Sequence, residues 1–193
     1  MMWNFDRYGD ALAVISENGQ RVSYAQFGQE ARKLRDAIGG RCLVFTLCKN
    51  NPACLLGYAG LLENRIVPAL LNAELDPELL QGLYDAYHPA YLWAPEGFAW
   101  DGCESVYSQW GYQLLKTPFG FETRLNDDLA LLLTTSGSTG SPKFVRQSYK
   151  NPRAHARKKT APGIPRTVLH AGEPVSAYLT AKRWAALRNP SHS

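Results

Sequence analysis

The sequence has little of what would place it in a membrane or outside the cell. No apolar run approaches the roughly 18 residues of a membrane-spanning helix, and the longest candidates, Leu129–Leu133 and Val67–Leu71, have the length of strands. The first residues lack a basic segment followed by an apolar one, so no signal peptide is expected. We therefore expect a cytoplasmic protein without a membrane span.

Cysteine is scarce as well. The four cysteines in 193 residues form no CxxC pair. A structural zinc site needs closely paired ligands, and a small secreted domain needs a denser set of cysteines. We therefore expect no metal site and mostly buried, reduced thiols at Cys42, Cys48, Cys54 and Cys103.

The composition describes a globular chain with one unusual segment. Hydrophobic residues make up 45% and charged residues 20%, which excludes a disordered, collagenous or coiled-coil protein. Up to residue 150 there are 13 basic against 16 acidic residues, whereas residues 151–193 hold 8 basic residues and a single acid, Glu173. An asymmetry of this size indicates two segments of different character.

The apolar pattern of the first segment alternates between strands and helices. An Asn-Gly pair between two extended runs predicts a hairpin over 11–24. Ser23 followed by Gln26 predicts a capping box at the start of a helix that Gly39 ends. Further strands are expected over 41–49, 66–71 and 90–94. Asn51-Pro52 and Asp76-Pro77 predict the starts of the two helices between them.

This alternation predicts an α/β fold with a mainly parallel sheet and flanking helices. Residues 104–117 do not fit the alternation and are compatible with an antiparallel excursion. A continuous apolar strand over 129–133 follows.

The most informative segment is DLALLLTTSGSTGSPKFV, residues 128–145. An apolar strand leads into a loop of glycines and small hydroxyl residues, and the loop ends in Pro-Lys. Glycines allow several backbone N–H groups to converge on one anion, and a lysine adds a point charge suited to phosphate oxygens. The pattern predicts phosphate binding by this loop, with hydroxyl donors from Ser136, Ser138, Thr139 and Ser141 and a positive charge from Lys143.

Two other interpretations of this loop fit the sequence less well. It is not a Walker A loop, because that pattern, counted from Gly137, needs glycine where Pro142 stands. An isolated serine- and glycine-rich run is also typical of a flexible surface turn. The preceding strand and the ordered spacing of the loop favour phosphate binding.

The run TTSGSTGSPK at 134–143 resembles the phosphate-binding loop of the adenylate-forming enzymes, the AMP-dependent synthetases and ligases that include the acyl-CoA synthetases. Residues 22–24, 43–52 and 66–72 resemble the N-terminal pattern of that family. The resemblance covers about residues 11–151 and implies a partial N-terminal subdomain of such an enzyme.

The resemblance also implies a reaction. In this family a carboxylate attacks the α-phosphate of ATP to give an acyl-adenylate and pyrophosphate, and a thiol such as that of CoA commonly takes the acyl group. It implies ATP and Mg²⁺ in the parent enzyme, CoA as a possible acceptor and a small carboxylic acid as substrate. Thr135 to Gly140 and Lys143 are implied to cradle the β- and γ-phosphates. No catalytic residue and no metal ligand is assigned.

Beyond Asn151 the resemblance ends. The tail interrupts any apolar face with prolines, and Lys182 lacks the glycine-rich context of the family's catalytic lysine. No adenine, ribose or hinge motif is found. We expect residues 1–150 to form the partial subdomain and 151–193 an irregular basic tail, disordered or out of frame. The chain alone is then inactive, as a truncated ligase that binds none of these cofactors tightly.

Two alternatives stay open. The basic tail could contact nucleic acid in a non-enzymatic binding protein, although specific recognition is not expected. The chain could also be one half of a split ligase that a complementing chain completes. Among lesser candidates, His88 fits a helix cap better than a general base, and Asp127-Asp128 fits a solvated turn better than a metal site.

Overall fold

The computed structural model describes residues 5–16, 19–135 and 143–149. The predicted tail at 151–193 and Asn18 of the first turn lie outside these residues. A short 3₁₀ turn covers Phe5–Tyr8. The helical segments are α1 (Tyr24–Ile38), α2 (Pro52–Leu55), a π-helical turn (Leu56–Gly60), α3 (Leu61–Glu63) and α4 (Pro77–Tyr87). The strands are β1 (Leu12–Ile15), β2 (Arg21–Ser23), β3 (Leu43–Cys48), β4 (Val67–Asn72), β5 (Tyr91–Pro95), β6 (Glu104–Gln109), β7 (Tyr112–Lys116), β8 (Leu129–Thr135) and β9 (Lys143–Ser148).

Seven strands form one sheet in the order β6-β7-β5-β3-β4-β8-β9, and β1 and β2 form a separate antiparallel hairpin. The four central strands β5, β3, β4 and β8 are parallel. This confirms the expected α/β fold. The sheet becomes antiparallel at both edges, where β7 pairs with β5 and β9 pairs with β8. Residues 104–117, which do not fit the alternation of strands and helices, contain the antiparallel β6–β7 hairpin, in agreement with the expected antiparallel excursion.

Helix α1 begins and ends where the sequence indicates. The Ser23 side chain accepts from the Gln26 N–H, and the Gln26 side chain accepts from the Ser23 N–H, which completes the capping box. Gly39 ends the helix with φ 85°, a left-handed conformation that glycine adopts without strain. Phe27 and Leu34 lie on its buried face. Local sequence signals therefore define this helix.

Because side chains alternate along a strand, the sheet has two covered faces. The first is packed by α1, by the continuous helix from α2 to α3 and by the β1–β2 hairpin, and it includes Val44 and Trp93 of the sheet. The second is packed by α4, whose Leu80 and Leu83 share a cluster with Phe45. A smaller cluster connects α3 to β4 and β8 on the first face.

The helix from α2 to α3 contains a π-helical turn that the sequence did not predict. The Trp93 indole Nε1 donates to the Ala53 carbonyl oxygen at 2.8 Å, just before this turn. The Ala53 carbonyl thus accepts both from this side chain and from the Leu56 N–H of its own helix. Gly57 lies in the turn and faces the same indole. A side chain at Gly57 would therefore collide with Trp93.

The described residues include no helix that is long and apolar enough to cross a membrane. All four cysteines are free thiols, with Cys42 and Cys54 buried. Burial raises the pKa of Cys42 to about 12, although the nearby Arg41 charge lowers it in part. This thiol is therefore protonated at neutral pH.

A buried carboxylate joins α1 to the edge hairpin. Glu30 is 8% exposed, and its carboxylate accepts from the Tyr107 hydroxyl and from Lys33 Nζ, both at 2.9 Å. Burial raises the pKa of Glu30, but hydrogen bonds from Lys33, Tyr107 and Gln109 outweigh it, so that the pKa lies below its ordinary value. The ionised form of Glu30 is therefore the one that the fold stabilises.

This shift predicts a pH dependence of stability. Because the pKa of Glu30 is lower in the folded chain, its contribution is fully present above the ordinary value of 4.5 and is lost as the pH falls below it. In urea unfolding between pH 7 and pH 3, Glu30→Gln should lose less stability on acidification than the unmodified chain. Glu122→Gln, at an exposed position, is the control and should follow the unmodified chain. Parallel pH profiles for all three proteins would contradict the assignment.

Candidate functional site

The parallel strands end together at one edge of the sheet. Cys48, the last residue of β3, is level with Asn72, the last residue of β4. Leu70 of β4 pairs with Leu133 of β8, so β8 ends at Thr135 on the same edge of the sheet as Asn72. In open α/β sheets, ligands bind at the carboxyl ends of the parallel strands. The sequence-predicted phosphate loop therefore starts at the edge where such a site is expected.

The strands β8 and β9 hold the two ends of that loop opposite each other. In the antiparallel register, Thr134 faces Phe144 and Thr135 faces Lys143. Of the predicted phosphate ligands, Thr135 and Lys143 are thus brought together as backbone neighbours. The rest lie outside the described residues: Ser136, Gly137, Ser138, Thr139 and Gly140.

The start of β9 is anchored on the second face of the sheet. The Phe144 ring makes an edge contact with Tyr87 of α4, with 4.7 Å between ring centroids, and lies 6.0 Å from Phe45 of β3. Thr134 Oγ1 donates to the Leu70 carbonyl oxygen at 3.4 Å and joins β8 to β4. These contacts fix the residues on either side of the loop to the core.

The neighbouring corner between β3 and α2 is also tightly held. Asn51 caps α2 by accepting from the Cys54 N–H at 2.9 Å. The buried Tyr112 hydroxyl donates to the Leu47 carbonyl oxygen at 2.8 Å and accepts from the Lys49 N–H at 3.0 Å. The corner therefore presents a fixed backbone to the edge at which the loop begins.

The side chains at this corner are protonated donors. Burial raises the pKa of Tyr112 and raises that of Tyr58 to about 12. A hydrogen bond with Cys48 raises the pKa of Cys54, and burial raises it further. These groups are consequently uncharged at neutral pH.

Two other sequence candidates have structural roles. His88 ends α4 in a left-handed conformation with φ 47°, and its ring stacks on Phe119 with centroids 4.4 Å apart. This confirms the helix cap. Asp127 and Asp128 are exposed and precede β8 at the amino edge of the sheet, opposite the loop. Within the described ranges, no cluster of three or more His, Cys, Asp or Glu residues could hold a metal ion.

A cluster of two arginines and a tyrosine at that amino edge is not evident from the sequence. The Arg65 guanidinium lies over the Tyr149 ring at 4.6 Å from its centroid, and the Arg41 guanidinium lies at 6.0 Å. These residues are far apart in the chain, and no local pattern marks them. Only the alternation of strands, which brings the starts of β3, β4 and β8 to one edge, could have indicated their proximity.

Comparisons with known proteins agree with this geometry. A family model described as AMP-binding enzyme matches residues 2–179. The match continues past residue 150, where the sequence places the domain boundary, and that boundary stays a prediction. Among curated proteins, no match is found.

Several solved structures share the fold. O-succinylbenzoate coenzyme A synthetase (MenE) from Bacillus subtilis, in complex with AMP, has a TM-score of 0.57 and 17% identity, covering 80% of this chain and 44% of that chain. The NpsA N-terminal subdomain from Klebsiella oxytoca, in complex with 3-hydroxyanthranilyl-AMSN, has a TM-score of 0.54 and 20% identity, covering 79% and 40%. CmiS6 has a TM-score of 0.58 and 19% identity, also covering 79% and 40%.

These likenesses concern architecture. At such identities they show a common fold, that of the N-terminal part of adenylate-forming enzymes, and this confirms the predicted fold class. The chain spans less than half the length of each of these proteins. The activity of a complete enzyme must therefore be argued from the site itself.

Proposed function

The chain belongs to the family of AMP-binding enzymes, and from this premise we propose that it supplies the phosphate-binding part of an ATP-dependent acid ligase. The observation that carries the proposal is the β8–β9 pair, which places Thr135 opposite Lys143 at the carboxyl edge of the parallel strands. The glycine- and hydroxyl-rich residues 136–142 connect these two strand ends. That is where converging N–H groups and one cation can hold a polyphosphate.

The reaction that fits such a site is adenylation of a carboxylic acid. A carboxylate oxygen attacks the α-phosphorus of ATP, the new acyl–oxygen–phosphorus bond forms, and the bond to the bridging oxygen breaks with its electron pair leaving on pyrophosphate. Donors on the β- and γ-phosphates stabilise the charge that grows on this leaving group. Thr135 to Gly140 and Lys143 are proposed for that role, with Mg²⁺ neutralising the same phosphates.

The remaining steps of the reaction need groups other than the phosphate-binding loop. Transfer of the acyl group to a thiol such as that of CoA, with AMP as leaving group, needs an acceptor site, and the family's adenine, ribose and catalytic-lysine motifs are not found in the sequence. We therefore propose that this chain alone does not complete the adenylation. A longer or complementing chain would supply the remaining contacts and the pocket for the acid.

Binding of inorganic pyrophosphate to the full chain tests the proposal. Because the proposed site contacts phosphates and not adenine, Mg²⁺-pyrophosphate should bind with a dissociation constant of about 0.1–1 mM, and AMP should bind more weakly. Lys143→Ala should weaken pyrophosphate binding about tenfold, because a charge-assisted contact is removed. Isothermal titration calorimetry at fixed ionic strength measures both.

The matched control is Lys116→Ala. Lys116 is also a lysine at the end of a strand, but it lies level with Tyr91 at the start of β5, at the opposite edge of the sheet. Its removal changes the net charge equally and should leave pyrophosphate binding unchanged. Equal losses in both variants, or AMP binding as tight as that of pyrophosphate, would contradict a phosphate site at the β8–β9 loop.

A further inference from the structure

The far end of the β8–β9 hairpin, opposite the loop, is held by two arginines. Tyr149 directly follows β9, is 7% exposed, and donates its N–H to the Asp128 carbonyl oxygen at 3.0 Å. Arg65 covers the Tyr149 ring at 4.6 Å, well within the range of a cation–π contact. The end of β9 is therefore attached to the segment that enters β4.

The same arginines hold the segment that enters β8. Arg41 donates to the carbonyl oxygens of Asn126 and Leu129, each at 2.8 Å. Arg65 donates to the Asp127 carbonyl oxygen at 3.3 Å. Arg65 itself has φ 60°, a conformation uncommon for a residue with a side chain. The amino end of β8 and the carboxyl end of β9 are thus held against the same two guanidinium groups.

This arrangement bears on the register of the hairpin. In short hairpins the turn sets the register, but here the connection runs over 136–142 and is too long for a two-residue turn. A slip of one residue would move Lys143 away from Thr135 and turn every β9 side chain to the other face. The register must therefore be set by contacts along the pair, which are those of Phe144 and Thr134 beside the loop and those at the far end.

We propose that Arg65 and Tyr149 are positioning residues that fix the register of β9 against β8 and thereby hold Lys143 opposite Thr135. The proposal rests on the proposed phosphate-binding function of the loop between them. The anchor works from the opposite edge of the sheet. The pairing of β8 with β9 shifts by one residue between Leu129 and Leu131, next to the anchor, and from there it continues in register to Thr135 and Lys143. Among the described residues the Tyr149 hydroxyl has no hydrogen-bond partner, so the anchor consists of the contact between the Tyr149 ring and Arg65 and does not involve the hydroxyl.

The test uses full-length variants chosen to keep the fold. Arg65→Asn removes the guanidinium but suits the left-handed conformation, and Tyr149→Leu removes the ring but keeps an apolar side chain. Tyr149→Phe keeps the ring and is the conservative variant. Arg146→Ala, at an exposed position of β9, is the charge control.

Two measurements are made on each variant. Cross-strand nuclear Overhauser effects between residues 134 and 144, and between 135 and 143, report the register. Titration with Mg²⁺-pyrophosphate reports the site. Arg65→Asn and Tyr149→Leu should weaken the cross-strand signals and reduce pyrophosphate affinity about threefold to tenfold, whereas Tyr149→Phe and Arg146→Ala should change neither.

Unchanged cross-strand signals in Arg65→Asn and Tyr149→Leu would overturn the proposal, as would equal damage by Tyr149→Phe and Tyr149→Leu. If the unmodified chain does not bind pyrophosphate, the proposed function fails, and the cross-strand signals still decide whether the anchor sets the register. The two failures are therefore distinguishable.

Discussion

Replacing Gly57 by alanine should destabilise the fold by about 3 kcal/mol or more, because the new methyl group has no space. A Cβ atom at Gly57 would lie 2.3 Å from Cδ1 and 2.7 Å from Nε1 of the Trp93 indole. Trp93 is fully buried and cannot move aside without losing its hydrogen bond to the Ala53 carbonyl oxygen. Urea unfolding monitored by circular dichroism measures the effect.

Gly82 provides the matched control, because it is also a glycine inside a helix. It lies on the exposed side of α4, and nothing is within 4 Å of a Cβ placed there. Gly82→Ala should therefore stabilise the fold by about 0.5–1 kcal/mol, since alanine loses less backbone freedom than glycine on folding. Replacing glycine by alanine should thus lower the stability of the fold at position 57 and raise it at position 82.

A double variant keeps the test informative if Gly57→Ala fails to fold. In Gly57→Ala/Trp93→Leu the smaller side chain leaves room for the new methyl group. Relative to Trp93→Leu alone, the double variant should lose little or no further stability, because the contact that the new methyl group would meet is already gone. A large further loss in that background, or a Gly57→Ala protein as stable as the unmodified chain, would contradict the close packing of the π-helical turn on Trp93.

Local signals in the sequence predicted most of the elements correctly. The capping box at Ser23, the left-handed stop at Gly39 and the Asn51-Pro52 start each depend on residues within one helical turn. Short-range chemistry of this kind is visible in a sequence because all the partners are close together in the chain. The parallel core followed from the alternation of elements, since parallel strands need crossover connections.

The π-helical turn could not be predicted in this way. The turn packs against Trp93 of β5, which lies 40 positions along the chain from its hydrogen-bond partner Ala53. The residues around Gly57 in the sequence do not indicate this distant contact. The same holds for Arg65 and Tyr149, which meet only because β4 and β9 bring their ends to one edge of the sheet.

The candidate site was predicted from its loop, and its surroundings were not. The spacing of hydroxyl residues, glycines and Lys143 identified the candidate phosphate ligands, since a phosphate cradle is built from consecutive residues. The role of those ligands stays a prediction, because most of them lie outside the described residues. The supports of the loop, such as Phe144 on Tyr87, come from separate elements and needed the structure.

Arg41→Met should cost about 2 kcal/mol of stability, because several backbone carbonyls lose a charged donor together. Arg41 donates to the carbonyl oxygens of Arg65 at 2.6 Å and of Asn126 and Leu129 at 2.8 Å each, and so joins the starts of β3, β4 and β8. Methionine keeps the apolar stem and removes the donors. The loss is measured as the shift in urea midpoint.

Arg35→Met is the control for this prediction. Arg35 pairs with the neighbouring Asp36 on the exposed side of α1, and both side chains are largely in solvent. Such an exposed ion pair contributes little to the free energy of unfolding, so the substitution should change stability by about 0.5 kcal/mol or less. If both arginines proved equally dispensable, water would satisfy the carbonyls at the amino edge as well as Arg41 does. A loss confined to Arg41 would instead show that one guanidinium aligns three strands, including the strand that leads into the phosphate loop.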